Sequence, residues 1–199
     1  MTACRLISSA DAARLAELLC ANREFLAPWE PLRAEPYFTE AGQRADIEQA
    51  LERHQAGNAL PCVILDEDGA VVGRITLSGI VGGAFQSCSV GYWLSEAAGG
   101  RGLATAAVRD IKATAFGQLG LHRIQAETLP HNEPSQRVLA RTGFVRIGFA
   151  PKYLRIAGRW QDCVLHHVIS DAEAEPEEAL SSGTAVTPSG PDPQLLASR

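Results

Sequence analysis

Residues 89–116 read SVGYWLSEAAGGRGLATAAVRDIKATAF, and the fold turns on how this stretch is read. Val90 to Leu94 is short, apolar and aromatic, which predicts a strand. Gly99, Gly100, Arg101 and Gly102 follow. Ala104, Val108, Ile111, Ala115 and Leu119 then recur at three- and four-residue spacing and predict one face of a helix. Strand, glycine turn and helix start together form an anion site. The first N–H groups of a helix lack partners inside it and point at whatever lies beyond the end. Glycine lets a phosphate approach the backbone closely, and Arg101 adds positive charge. GGRGLAT has no Lys in the place a nucleotide-triphosphate loop needs one, and it is not GxGxxG. Read locally, a helix that merely follows a glycine-rich turn stays open.

Around this centre the chain alternates strands and helices. A first edge strand is expected at Arg5–Ile7 and a helix at Ala12–Ala21. Thr39 caps a second helix, Glu40–Gln55, which carries Ile47 and Leu51 inward and stops at Gly57. Ala59–Leu65 and Ala70–Leu77 read as strands about a two-residue turn, Asp68-Gly69. Gly79–Gly83 is a looser turn before the strand Ser87–Leu94. His122–Thr128 alternates as a strand. Pro134 then suits the first turn of a short helix over Ser135–Arg141, and Gly143 its end. Val145–Leu154 and Gln161–Ser170 form a last antiparallel pair through Ala157-Gly158. The tally is α+β: one mixed, mostly antiparallel sheet of six to seven strands, flanked by helices on both faces. The segment FLAPWEPLRAEPYF, residues 25–38, is broken by three prolines and holds large aromatics. It reads as a groove wall or as a loop packed on the core.

Residues 1–170 carry 17 Lys/Arg and 17 Asp/Glu, so the net charge of −5 sits in residues 171–199. That segment is acidic and rich in Pro, Ser and Gly, and is expected to be a disordered tail on a single domain of residues 1–170. No basic arm points to nucleic acid, and no run of 18 apolar residues points to a membrane. Five scattered cysteines without a CxxC suit buried thiols in a reducing, cytoplasmic setting, with no metal site.

GYWLSEAAGGRGLATAAV resembles the acetyl-CoA signature of the GNAT N-acetyltransferase superfamily, and LHRIQAETLPHNEPSQRVLARTGFVRIG and YLRIAGRWQDCVLHHVI resemble its ribosomal-protein-alanine, RimJ/RimL type. The resemblance spans about residues 1–170, with Gly99 where the family has Gln or Arg. It implies a GNAT fold in which the strands before and after the glycine-loop helix run parallel and splay apart. It implies acetyl-CoA as donor, held by backbone N–H groups of Gly100, Arg101, Gly102, Leu103, Ala104 and Thr105 and by Asn132. Leu94 would offer its N–H to the thioester oxygen, and Ser135 would protonate the departing thiolate. The acceptor would be a protein N-terminal α-amine or a small amine, attacking directly in a ternary complex. A non-catalytic acyl-CoA-binding module is the third reading. Glu127, near the end of its strand, is the first candidate base, against a plain surface carboxylate. Glu30 and Glu35 compete for that role or hold the acceptor's charge, with Trp29 and Tyr92 as acceptor walls. The hairpin of residues 145–170 is the candidate surface for a homodimer.

Overall fold

The structure, a computed structural model, describes residues 3–171. The expected tail lies outside the described residues. Seven strands form one sheet in the order β1-β2-β3-β4-β5-β7-β6. They are β1 (Cys4–Leu6), β2 (Ala59–Leu65), β3 (Val71–Val81), β4 (Ser87–Leu94), β5 (Arg123–Thr128), β6 (Val145–Ile156) and β7 (Arg159–Ile169). The helices are α1 (Ala12–Ala21), α2 (Arg23–Leu26), α3 (Glu40–Gln55), α4 (Leu103–Gly117) and α5 (Glu133–Arg141). Every neighbouring strand pair is antiparallel except β4 and β5.

Side-chain alternation along β2 builds two cores. Cys62 and Ile64 pack on one face with Val108 and Ile111 of α4. Val63 packs on the other with Leu15 and Leu18 of α1 and Ile47 of α3. Ile64, Val63, Leu15 and Ile47 are fully buried, and each such side chain contributes about 1.5–3 kcal/mol. Helices therefore cover both faces, as the patterning predicts. α3 buries only Gln43, Ile47 and Ala50, because its next face lines a cleft instead of a core.

Several boundaries differ from expectation for local reasons. α4 stops at Gly117, and Leu119 is exposed. The N–H groups of Gln118 and Leu119 both donate to the Thr114 carbonyl, so the helix unwinds there. Gly120 turns the chain at φ 61°, and Leu121 fills the core in place of Leu119. β3 runs through Gly79 to Val81, with an irregularity after Ser78. The turn before it spans four residues: Gly69 N–H donates to the Asp66 carbonyl at 3.1 Å, and Asp66 Oδ1 accepts from Asp68 and Ala70. α5 begins at Glu133, two residues earlier than expected. Cys4, Cys62, Cys88 and Cys163 are buried, but Cys20 is exposed. No helix among the described residues is long and apolar enough to cross a membrane.

Candidate active site

The one parallel seam closes only part of the way. Ser87, Cys88 and Ser89 pair with Arg123, Ile124 and Gln125, and beyond them β4 and β5 part. What β4 presents to the gap follows from its ladder with β3. Ser95 N–H donates to the Val72 carbonyl at 2.9 Å, and Leu94 stands opposite Gly73. In an antiparallel pair the backbone groups of alternate residues turn to opposite sides. Those of Trp93 therefore face β3, and those of Tyr92 and Leu94 face the gap.

Past β4 the chain forms a short 3-10 turn at Glu96–Ala98 and then the glycine loop. Gly100 and Gly102 have φ of 75° and 81°, a region that costs residues with a Cβ about 1–2 kcal/mol. A Cβ at either would project into open space, with nothing within 4 Å. Among the described residues no acceptor takes the N–H groups of Arg101 to Thr105; the first α4 donor is Ala106, to the Gly102 carbonyl. The loop is thus a run of free donors at a helix N-terminus, as read from the sequence. Arg101 differs in detail, since its guanidinium is held by Glu67 of the β2–β3 turn. The backbone, not this side chain, is the uncommitted part of the loop.

A cleft of about 600 Å³ passes through the gap and is lined from both faces of the sheet. On the α4/α5 face lie Tyr92, Asn132 and Ser135. Asn132 caps α5, its Oδ1 accepting from Ser135 N–H at 3.2 Å. That leaves the Asn132 NH2 and the Ser135 hydroxyl outside the cap. Tyr92, expected among the acceptor residues, stands on this face instead, its phenol 2.9 Å from Ser135 Oγ.

On the other face lie Glu127, Trp29, Glu30 and Trp93. Ala126 packs in the α4 core, so Glu127 one residue later points the opposite way. Burial pushes its pKa up, and no cation among the described residues pairs with it. Glu30 is raised by burial as well, against smaller opposing effects of Arg33 and Arg74. Trp29 packs with Leu129, Ile156 and Cys163 and lies 5.3 Å from the His131 ring. Ala157 N–H donates to the Glu30 carbonyl at 2.9 Å, which docks the β6–β7 hairpin tip on the proline-broken segment. The aromatic segment is therefore a cleft wall.

Glu35 is not in the cleft. Its carboxylate is 76% exposed and is bound by Arg23 on the outside of the segment. Leu94 does not line the cleft with its side chain either; only its backbone reaches the gap. Conversely, sequence reading passed over Asp46, Gln49 and Arg53 of α3 and Arg74 of β3, which line the same face as Glu127. A signal was present: an arginine within the apolar run VVGRITL needs a partner, and Asp46 supplies it at 2.6 Å. Asp162 accepts from Lys152 N–H at 2.9 Å within the last hairpin, where Lys152 takes a φ of 49°.

A mixed sheet that splits at its one parallel seam, beside a loop of free amide donors, defines an acyltransferase of the GNAT architecture. Residues 4–145 match the acetyltransferase (GNAT) domain, and the chain belongs to that family. A protein of Escherichia coli (strain K12) named ribosomal protein uS5-alanine N-acetyltransferase is 39% identical over 166 residues, 81% of this chain and 84% of the relative. Among solved structures, the ribosomal-protein-S5-alanine acetyltransferase from Vibrio fischeri is 38% identical with a TM-score of 0.80, over 84% of this chain and 92% of that one. Mycobacterium smegmatis RimJ in complex with CoA-disulfide is 32% identical with a TM-score of 0.81, over 84% and 81%.

Proposed function

We propose that this protein moves an acetyl group from acetyl-CoA to the α-amine of a protein N-terminus, in a reducing, cytoplasmic setting. The observation that carries the reading is the split seam with unpaired donors at its mouth. The names of the relatives from Escherichia coli and Vibrio fischeri support the choice of acceptor. The residues present fit acetyl-CoA. Free N–H groups of residues 101–105, with open space above Gly100 and Gly102, suit a pyrophosphate. The gap-facing backbone of Tyr92 and Leu94 and the NH2 of Asn132 suit the amides of its arm. When bound, acetyl-CoA supplies an activated acyl group.

The chain's own residues do the rest. Glu127 takes the proton from the acceptor ammonium. An α-amine has a pKa of about 7.7–8.0 against about 10.4 for lysine, so a carboxylate raised by burial is an adequate base. Leu94 N–H donates to the carbonyl oxygen as negative charge builds on it. The Ser135 hydroxyl donates to the departing sulfur. Attack is direct. Cys163 is the cysteine that lines the cleft among the described residues, and burial, with Glu127 and Asp162 nearby, pushes its thiol pKa up and away from thiolate.

The test is thiol release from acetyl-CoA against peptides with free N-termini, the same peptides blocked at the N-terminus, and small amines. Free α-amine peptides are expected to exceed the other two groups by about tenfold or more in kcat/KM. Highest turnover with a polyamine or amino sugar would replace the peptide acceptor. As a donor control, Gly102→Asp puts a carboxylate at the start of α4, in a backbone region that Asp tolerates better than most residues. Loss of acetyl-CoA binding by calorimetry, with the fold retained and melting lowered by only a few degrees, is expected; unchanged affinity would remove the loop from the donor site.

A further inference from the structure

The contact between Tyr92 and Ser135 has no part in the roles assigned above. It joins residues 43 apart in the chain and bridges the parting strand β4 to α5 beyond the gap. The phenol oxygen lies 2.9 Å from Ser135 Oγ and 3.3 Å from the Ser135 carbonyl. Each hydroxyl owns one hydrogen, so two arrangements exist. In one, the phenol donates to the carbonyl and Ser135 donates to the phenol, and the cleft meets only lone pairs. In the other, the phenol donates to Oγ, the shorter contact, and the Ser135 hydrogen is free to turn into the cleft. Helix capping does not compete for Oγ, because Asn132 already satisfies Ser135 N–H.

A serine that gives its proton to sulfur has a second need. The alkoxide left behind is too basic to persist unless another hydrogen follows onto it, and Tyr92 is the hydroxyl within reach. We propose that Tyr92 is the positioning residue for leaving-group protonation, its phenol donating to Ser135 Oγ and so directing the Ser135 hydrogen at the sulfur. The inference rests on the role given to Ser135 above. The step balances as follows. The C–S bond breaks with its electron pair on sulfur. The Ser135 proton passes to sulfur, the Tyr92 proton passes to Oγ, and water returns a proton to the phenol. The nitrogen gives up two protons, one to Glu127 before attack and one as the tetrahedral adduct collapses, and both go on to water; one replaces the proton water gave the phenol, so one is released overall. Burial pushes the Tyr92 pKa up to about 12, so the phenol holds its hydrogen throughout the neutral range between turnovers.

Tyr92→Phe keeps the ring and removes only the O–H. Loss of a positioned acid costs about 10²–10⁴-fold in rate, so Ser135→Ala is expected to lower kcat by about 100-fold or more and Tyr92→Phe by about tenfold. The double variant is expected to fall no further than Ser135→Ala alone, with CoA affinity by calorimetry within about twofold of wild type throughout, as for groups acting as one unit. A Tyr92→Phe rate equal to wild type, a Tyr92 effect that persists in the Ser135→Ala background, or a fall in affinity that accounts for the rate would each overturn the inference. Unchanged kcat in Ser135→Ala would overturn the Ser135 assignment itself, which separates the two failures. The wild-type enzyme gives an independent check that needs no variant. Single-turnover rates in mixed light and heavy water are expected to curve with deuterium fraction, since two protons move; a straight line excludes the relay.

Discussion

On β5 a single step along the strand separates Ala126, in the α4 core, from Glu127, in the cleft. Burial without a paired cation raises the Glu127 pKa, so the carboxylate form is lost at a higher pH than an ordinary glutamate's value of about 4.3. As a base it works only above that raised value, and it matters most while the acceptor amine is still protonated. Glu127→Gln is therefore expected to lower turnover by about 100-fold near pH 7 and by much less near pH 9, where an α-amine of pKa about 8 is already free. Acetyl-CoA affinity is expected to stay unchanged. pH–rate profiles of both enzymes, with calorimetry, check this; a full-rate variant would move the base to Glu30 or to water. The same positional logic explains what was legible at this scale. Glu127, Glu30 and Trp29 were read from sequence because strand register and the proline-broken segment mark them. Glu35 sits in that segment too, but nothing local tells that Arg23, twelve residues back, holds it outside. The meeting of Tyr92 with Ser135 has no local signal at all, since it depends on how α5 docks beside β4.

Elements end where local chemistry satisfies their ends, and the chain just before α1 shows how much rests on one carboxylate. Asp11 Oδ2 accepts from Ser8 N–H at 2.8 Å, and its two oxygens take the Arg5 guanidinium at 2.7 and 2.8 Å. The Arg5 hydrogen bonds, more than any other influence, hold the Asp11 pKa below the usual carboxylate range. A depressed folded pKa means stability that is present above the unfolded value of about 3.9 and is lost as pH falls through the lower folded value. Arg5 is nearly half exposed, so solvent screens its share of that stability, and the Ser8 N–H bond adds a smaller share. Asp11→Ala is expected to cost about 1–2 kcal/mol at pH 7 by urea unfolding, and the gap from wild type is expected to narrow as pH falls below the unfolded value of about 3.9 toward the lower folded one. A gap that does not depend on pH would assign the loss to packing. Ends of this kind were legible. Thr39 does cap α3, its Oγ1 accepting from Gly42 N–H at 3.0 Å, and Gly57 does take the left-handed conformation after it. Ala157 and Gly158 both have positive φ, which makes the predicted two-residue turn. The misplaced ends, at Leu119 and Gly79, are those set by distant packing: Leu121 must reach the core, and Ile80 N–H finds the Asn58 carbonyl across the sheet.

At the scale of the molecule, function depends on a ladder that stops. The glycine loop was legible as a run of free donors because these follow from helix geometry alone. The parting of β4 from β5 entered only through the family resemblance, because no residue in either strand encodes it. It arises because β5 pairs along its whole length with β7, from Arg123 with Ile169 to Thr128 with Val164, while β4 pairs along its length with β3. Each strand follows its outer neighbour, and the sheet's twist separates them past Ser89 and Gln125. The gap thus leaves a one-sided pattern on β4. Gly91 and Trp93 give their N–H groups to β3, and Tyr92 and Leu94 give theirs to the cleft. Amide hydrogen exchange read residue by residue is expected to show that alternation in the free protein, with Tyr92 and Leu94 fast between slow neighbours. Adding CoA is expected to slow Tyr92 and Leu94 together with residues 101–105, because one bound molecule would accept from both sets of donors. Uniform protection from Val90 to Leu94 without ligand would mean that the seam is closed. Protection of the loop alone would mean that the arm of the cofactor does not run along β4, and the acyl group would then have to reach Glu127 by another path.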